Sequence, residues 1–217
     1  MTLKEWQQTL KPEHDLIVQA STIEDHGEGG DGLTKCSIGM AHGYCKVRNQ
    51  TQVTQIGHHE QTVLCCVNTW TDSRRRPNGI NRSSIVSTLQ NNNIQNFYIQ
   101  PQLYFSLLPK FKFVISPEGN GMDCHRHYEA LLAGCIPIIE YNDIIPPKYG
   151  DNIPILYTKD YSEITPSYLE EKYKEMIDTH YDFSKLFLSS WSEDEQQNIK
   201  RRGNYWCMKC EGIKWYS

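Results

Sequence analysis

Arg126 and Glu129 lie in a short stretch, residues 111–140, that also carries Glu118, Asp123 and His125. A guanidinium donates in pairs and keeps its charge, which suits the oxygens of a pyrophosphate. Glu118 and Glu129 are carboxylates able to accept the two hydroxyls of a ribose. His125 and Arg126 fall in the first turn of an expected helix, where the helix dipole disfavours cations, so their position speaks for ligand charge rather than helix stability. Before them, Ser116, Pro117, Glu118, Gly119, Asn120 and Gly121 break the chain and let backbone N–H groups turn inward. The competing reading is an ordinary strand-to-helix turn with a solvated polar face.

These residues need a strand, a helix and a second strand to hold them. Phe113, Val114 and Ile115 form a short apolar run. Asp123 is the expected N-cap of the helix, Tyr128, Leu131 and Leu132 recur at i, i+3 and i+4, and Gly134 sits where a C′ glycine belongs. Residues 136–139 form the next strand. Such a unit is a right-handed parallel crossover whose ligand site lies at the carboxyl end of the first strand, against the helix N-terminus. A second charged group, Asp72 to Arg76, follows the apolar run VLCCV and falls on the same rim of the sheet. Arg74 or Arg75 is a candidate phosphate contact, with a solvated loop as the alternative, and that alternative is the reading for Arg76.

The stretch SPEGNGMDCHRHYEALLAGCIPII resembles the nucleotide-sugar-binding half of exostosin-like glycosyltransferases, and closely resembles glycosyltransferase-like proteins of large DNA viruses of algae and protists. Asp123, Arg126, Glu129, Ala130, Leu131, Gly134, Cys135, Ile136 and Pro137 fall on a D-x-x-R-x-x-E-A-L-x-x-G-C-I-P pattern. It is also distantly similar to the donor motif of α1,3-fucosyltransferases, where a lysine takes the place of Arg126. The resemblance runs in weaker form from about residue 63 to about residue 187. It implies a GT-B-like α/β fold with a Rossmann-like, mostly parallel sheet, Arg126 on the donor pyrophosphate and Glu129 on the ribose. The chain has 217 residues, so its N-terminal α/β half would be reduced, with residues 1–60 on the acceptor side and 61–217 forming the donor domain.

Outside the central unit, strands are expected over 15–20, 62–68 and 153–157, with 96–100 a strand or the approach to one. Helices are expected over 81–90, from Pro101 to a stop at Pro109, over 166–180 and over 183–199, with a turn at PPKYGDN. The sequence predicts an α/β succession with a largely parallel sheet.

The formal charge of -4 gives no bias toward nucleic acid, which argues against a polynucleotide partner. No stretch reaches the ~18 apolar residues of a membrane span, and the start MTLKEWQQTLKPEHD lacks the apolar core of a signal peptide. The chain is therefore expected to be cytoplasmic, in a host cell if viral, either as a soluble relative of the family or as one domain of a longer chain. Of the eight cysteines, Cys65, Cys66 and Cys135 sit in apolar runs, and Cys207 and Cys210 form a single C-x-x-C, half of a zinc site. Free thiols are the expected state.

The acidic, glycine-rich segment after Ala20 offers Glu24, Asp25, His26, Glu28 and Asp31 to an acceptor hydroxyl as general base, with Asp25 and Asp31 the named candidates; a mobile surface loop is the alternative. Nothing there matches a calcium loop or a D-x-D site, and no metal is expected. For sugar transfer, Arg126, the helix start and Arg74 or Arg75 would stabilise the departing nucleoside diphosphate. The position eight before Glu129 is Gly121, so the paired glutamates of many retaining enzymes are absent, which points to inversion. The leading expectation is a metal-independent glycosyltransferase moving a hexose or pentose from a UDP- or GDP-sugar to a glycan or glycoprotein. A non-catalytic nucleotide-sugar-binding module and a Rossmann-like protein for another phosphorylated metabolite are the other two readings.

Overall fold

A computed structural model describes residues 1–23, 34–47 and 56–217. Four strands, β1 (Gln61–Leu64), β2 (Phe111–Ile115), β3 (Ile136–Glu140) and β4 (Leu156–Thr158), form one all-parallel sheet in the order β1-β2-β3-β4. The two inner strands are apolar apart from Lys112 and Glu140, with Phe113, Val114, Ile115, Ile136, Ile138 and Ile139 fully buried, as a parallel sheet covered on both faces requires. The molecule is thus an α/β protein with a parallel sheet flanked by helices, compatible with a Rossmann-like fold.

Each crossover advances the sheet by one strand. Between β1 and β2 run α3 (Arg82–Asn91) and α4 (Pro101–Leu107); α5 (His125–Leu132) joins β2 to β3, and α6 (Ile145–Tyr149) joins β3 to β4. Asn81 caps α3 by accepting from the Ser84 N–H, and Pro101 opens α4 at a position whose N–H needs no helical partner. After β4, α7 (Pro166–Met176) packs on β1, and α8 (Glu193–Glu211) packs on α2 (His42–Val47). The N-terminal segments share the apolar core of the sheet. From α1 (Leu3–Gln7), Trp6 stacks on Phe183 at 4.0 Å between ring centroids and donates its indole N–H to Leu131 O at 2.7 Å. The Ile17 N–H donates to the buried Tyr128 hydroxyl, which donates in turn to Leu186 O.

Several expected elements are corrected. Residues 96–100 form no strand, because Asn96 completes the edge with its side chain, accepting from Val67 N and donating to Val67 O. β1 accordingly ends at Leu64 rather than at residue 68. Residues 15–20 make only isolated bridges, Leu16 with Phe187 and Val18 with Met40. The PPKYGDN segment contributes to α6, which starts over its prolines and ends at Gly150. Residues 183–199 are not one helix: two 3-10 turns, Ser184–Leu186 and Leu188–Ser190, bury Leu186 and Leu188 before α8 begins. Ser192 starts α8 by accepting from the Glu195 N–H, and Glu193, Asp194 and Glu195 favour the positive end of its dipole. Among the described residues, no helix is long and apolar enough to cross a membrane.

Candidate functional site

The loops leaving the carboxyl ends of β1 and β2, the start of α5 and one side of α8 enclose a cleft of about 640 Å³. Its floor is the stretch that the sequence singles out, with Gly119, Asn120, Gly121, Asp123, His125, Arg126 and Glu129 all on its wall. Gly119 keeps the loop tight, since a Cβ there would stand 2.9 Å from Arg82 Nη2. Gly134 ends the α5 region at φ +79°, in the left-handed conformation that its C′ position calls for.

Arg126 is the least satisfied polar group in the cleft wall. Its Nη2 donates to Cys66 O at 3.0 Å, whereas Nε and Nη1 are shut away from water and make no well-formed hydrogen bond. The guanidinium lies 5.7 Å from the centroid of the Tyr104 ring, whose buried hydroxyl is close enough to Arg126 and Glu129 to act on both. Leaving such donors unpaired costs about 1–3 kcal/mol, and an anionic oxygen is the partner that returns most. Glu129, one turn along the helix, is only 4% exposed and accepts from the Ala41 N–H at 3.2 Å. Burial pushes its carboxyl up to about 7, against the opposing pull of Ala41, Arg126 and Tyr104, so it titrates near neutrality.

The other candidates have settled partners. Asp123 is not the helix cap; Cys124 holds that position without a side-chain bond. Asp123 is instead buried, accepting from Tyr149 Oη at 3.0 Å, Lys148 Nζ at 3.2 Å and Ile38 N at 3.1 Å, so it ties α6 and the N-terminal segment to the start of α5. His125 is not a cation. Burial lowers its pKa to about 4, and because Gly39 O at 2.8 Å can only accept, the ring proton sits on Nδ1. Nε2 is therefore left as an acceptor. Ser116 is fully buried behind the loop, with its Oγ 2.7 Å from His127 Nδ1, while His127 Nε2 lies 3.1 Å from Met122 O. Since that carbonyl fixes the proton on Nε2, Ser116 donates to Nδ1, and the pair shapes the loop from within.

Glu118 and Arg75 turn toward each other, away from the cleft. Arg75 pairs with Glu118 and donates to Gly119 O, and Asn142 adds a further bond to Glu118. Arg74 is exposed, and neither it nor Arg75 lines the cleft. Arg76 is not a solvated side chain: it bridges Asp72 and Glu140 at 2.8 Å each and donates to Glu118 O. Asp25 and Asp31 lie outside the described residues.

Arg82, Trp206 and Lys209 are among the cleft residues that escape the sequence reading. Arg82 is buried and donates from Nε to Glu118 O, from Nη1 to Asn68 O and from Nη2 to Pro117 O, so it clamps the glycine loop through its carbonyls. It opens α3, and a cation in a first helical turn is the signal that picks out Arg126. Trp206 and Lys209 come from α8, with Lys209 Nζ 4.8 Å from the Trp206 ring centroid. Only tertiary packing brings them to the cleft.

No family model matches the sequence, and no curated protein matches it.

Proposed function

We propose that this protein is a glycosyltransferase of the exostosin-like, GT-B class, holding a nucleotide-sugar donor in the cleft at the start of α5. The observation that carries the reading is the half-buried Arg126 guanidinium in the cleft wall beside a glycine loop, whose Nε and Nη1 hydrogen-bond no carboxylate or carbonyl and have only the Tyr104 hydroxyl beside them. A pyrophosphate supplies the paired acceptor oxygens that such a fork binds once the side chain turns Nε and Nη1, closed to solvent at rest, into the cleft. Glu129, one turn away, accepts a ribose hydroxyl. As the donor's glycosidic bond breaks, negative charge grows on the leaving diphosphate, and Arg126, already desolvated and fixed by Cys66 O, stabilises it. The reading involves no metal ion, takes UDP- or GDP-sugars as the donor class and a glycan or glycoprotein as acceptor, and favours inversion. Asp25 and Asp31 remain the base candidates on sequence grounds.

One observation favours a second reading, a donor-binding module without transfer activity. The carboxylates among the described cleft residues are both engaged, Asp123 with Lys148, Tyr149 and Ile38, and Glu129 with Ala41. A thermal-shift panel of UDP, GDP, CMP and their sugar conjugates, with and without EDTA, tests the common core of both readings. A ligand at a hundred times its dissociation constant adds ~2.7 kcal/mol of stability, so one nucleoside diphosphate and its sugar should raise the melting temperature, unaffected by EDTA. No shift with any of them would sink the assignment. Slow hydrolysis of the stabilising sugar nucleotide, lost in the Asp25→Asn or Asp31→Asn variant, separates transferase from module.

A further inference from the structure

Two sulfur atoms outside the cleft's polar machinery sit in an unusual relation. Cys45 on α2 and Cys207 on α8 are both buried, and their Sγ atoms are 3.5 Å apart. Neither belongs to a disulfide. Other buried thiols are engaged with nitrogen or oxygen: Cys36 meets Arg202 Nη2, Cys65 donates to Asn96 Oδ1, and Cys135 donates to Leu108 O. Covalent sulfur–sulfur bonding requires the two atoms to approach by a further ~1.5 Å, a small motion for side chains on two helices already packed together. We propose that Cys45 and Cys207 form a reversible disulfide site, oxidised by a small-molecule disulfide of the glutathione class.

The chemistry closes without any other oxidant. The Cys207 thiolate attacks one sulfur of the reagent, forming a mixed disulfide and expelling the first reagent thiolate, which takes up a proton. The Cys45 thiolate then attacks Cys207 Sγ, forms the intramolecular bond and expels the second reagent thiolate. Two protein thiols are oxidised, and one reagent disulfide is reduced to two thiols. The hydrogen bond from Cys45 holds the Cys207 thiol below its ordinary range, which favours the thiolate. Access comes from the end of α8, where Cys210 is exposed and Gly212 terminates the helix in the left-handed conformation; terminal helical turns open readily. The bond would staple two walls of the cleft, since Ala41, just ahead of α2, donates to Glu129, and α8 carries Trp206 and Lys209.

The test uses the unaltered full chain, equilibrated in mixtures of reduced and oxidised glutathione, acid-quenched, alkylated and mapped as unreduced peptides by mass spectrometry. The expected result is a Cys45–Cys207 linked peptide that dithiothreitol abolishes, a melting temperature raised by roughly 5 °C or more, and a Cys210 that carries only glutathione. Complete alkylation of both Cys45 and Cys207 where Cys210 is fully glutathionylated would overturn the proposal, as would a Cys207–Cys210 link in place of the expected one. Cys45→Ser should lose both the link and the melting shift. A shift that persists in that variant would count against the staple.

Discussion

Two groups of arginines stand at the carboxyl edge of the same sheet, and they differ in what satisfies them. Arg76 and Arg82 use every guanidinium nitrogen inside the protein, on Asp72, Glu140 and the carbonyls of Asn68, Pro117 and Glu118. Arg126 uses only Nη2. The first group is scaffold, because its positive charge is spent on holding the glycine loop in shape. The second is held in place but unspent. Charge density along a sequence does not separate the two; the presence or absence of acceptors does.

The sharpest way to break this contrast is Arg82→Met. It removes three hydrogen bonds to loop carbonyls, two of them buried, so the chain should lose about 3 kcal/mol or more, read from urea denaturation. A near-neutral result would mean that Arg82 does not support the loop. Next in size is the pH behaviour of Glu129. Its native pKa of about 7 lies above the ordinary 4.5, so between these values the native state binds more protons than the unfolded chain, and stability falls as pH rises through the window. Glu129→Gln should flatten that part of the profile and gain about 3 kcal/mol at most above neutrality. Parallel profiles for wild type and variant would place Glu129 at an ordinary carboxylate pKa. The smallest effect belongs to Arg75→Ala, whose side chain is 30% exposed. Stability should change by less than about 1 kcal/mol and nucleotide affinity by less than about threefold. A large loss of affinity would return Arg75 to the ligand site.

The central strand–loop–helix–strand unit was legible because each of its signals is local. The apolar run of β2, the glycines at 119 and 121, the spacing of Tyr128, Leu131 and Leu132, and Gly134 can all be read within a few residues of one another. Partnerships were not legible, since they join distant positions. Glu118 and Asp123 have the right chemistry for a ligand, but Arg75 engages the first and Lys148, Tyr149 and Ile38 the second. Arg82 carried the same first-turn signal as Arg126, yet only the structure shows that its nitrogens end on carbonyls. The segment after Phe183 is a lesson in caps: one helix was expected over 183–199, while Ser192 and the three acids after it mark where the helix begins. Trp206 and Lys209 reach the cleft through the packing of α8, and no local pattern announces them.

The most direct measurement is calorimetric titration of UDP and GDP into wild type and Arg126→Met, with the melting temperature of each protein recorded alongside. Arg126 with its unpaired donors should bind one of the two diphosphates, and the variant should lose about 2 kcal/mol of that affinity, roughly thirtyfold, without a lower melting temperature. Equal affinity in both proteins, or a variant that keeps its affinity but melts earlier, would show that Arg126 serves the fold and not a phosphorylated ligand.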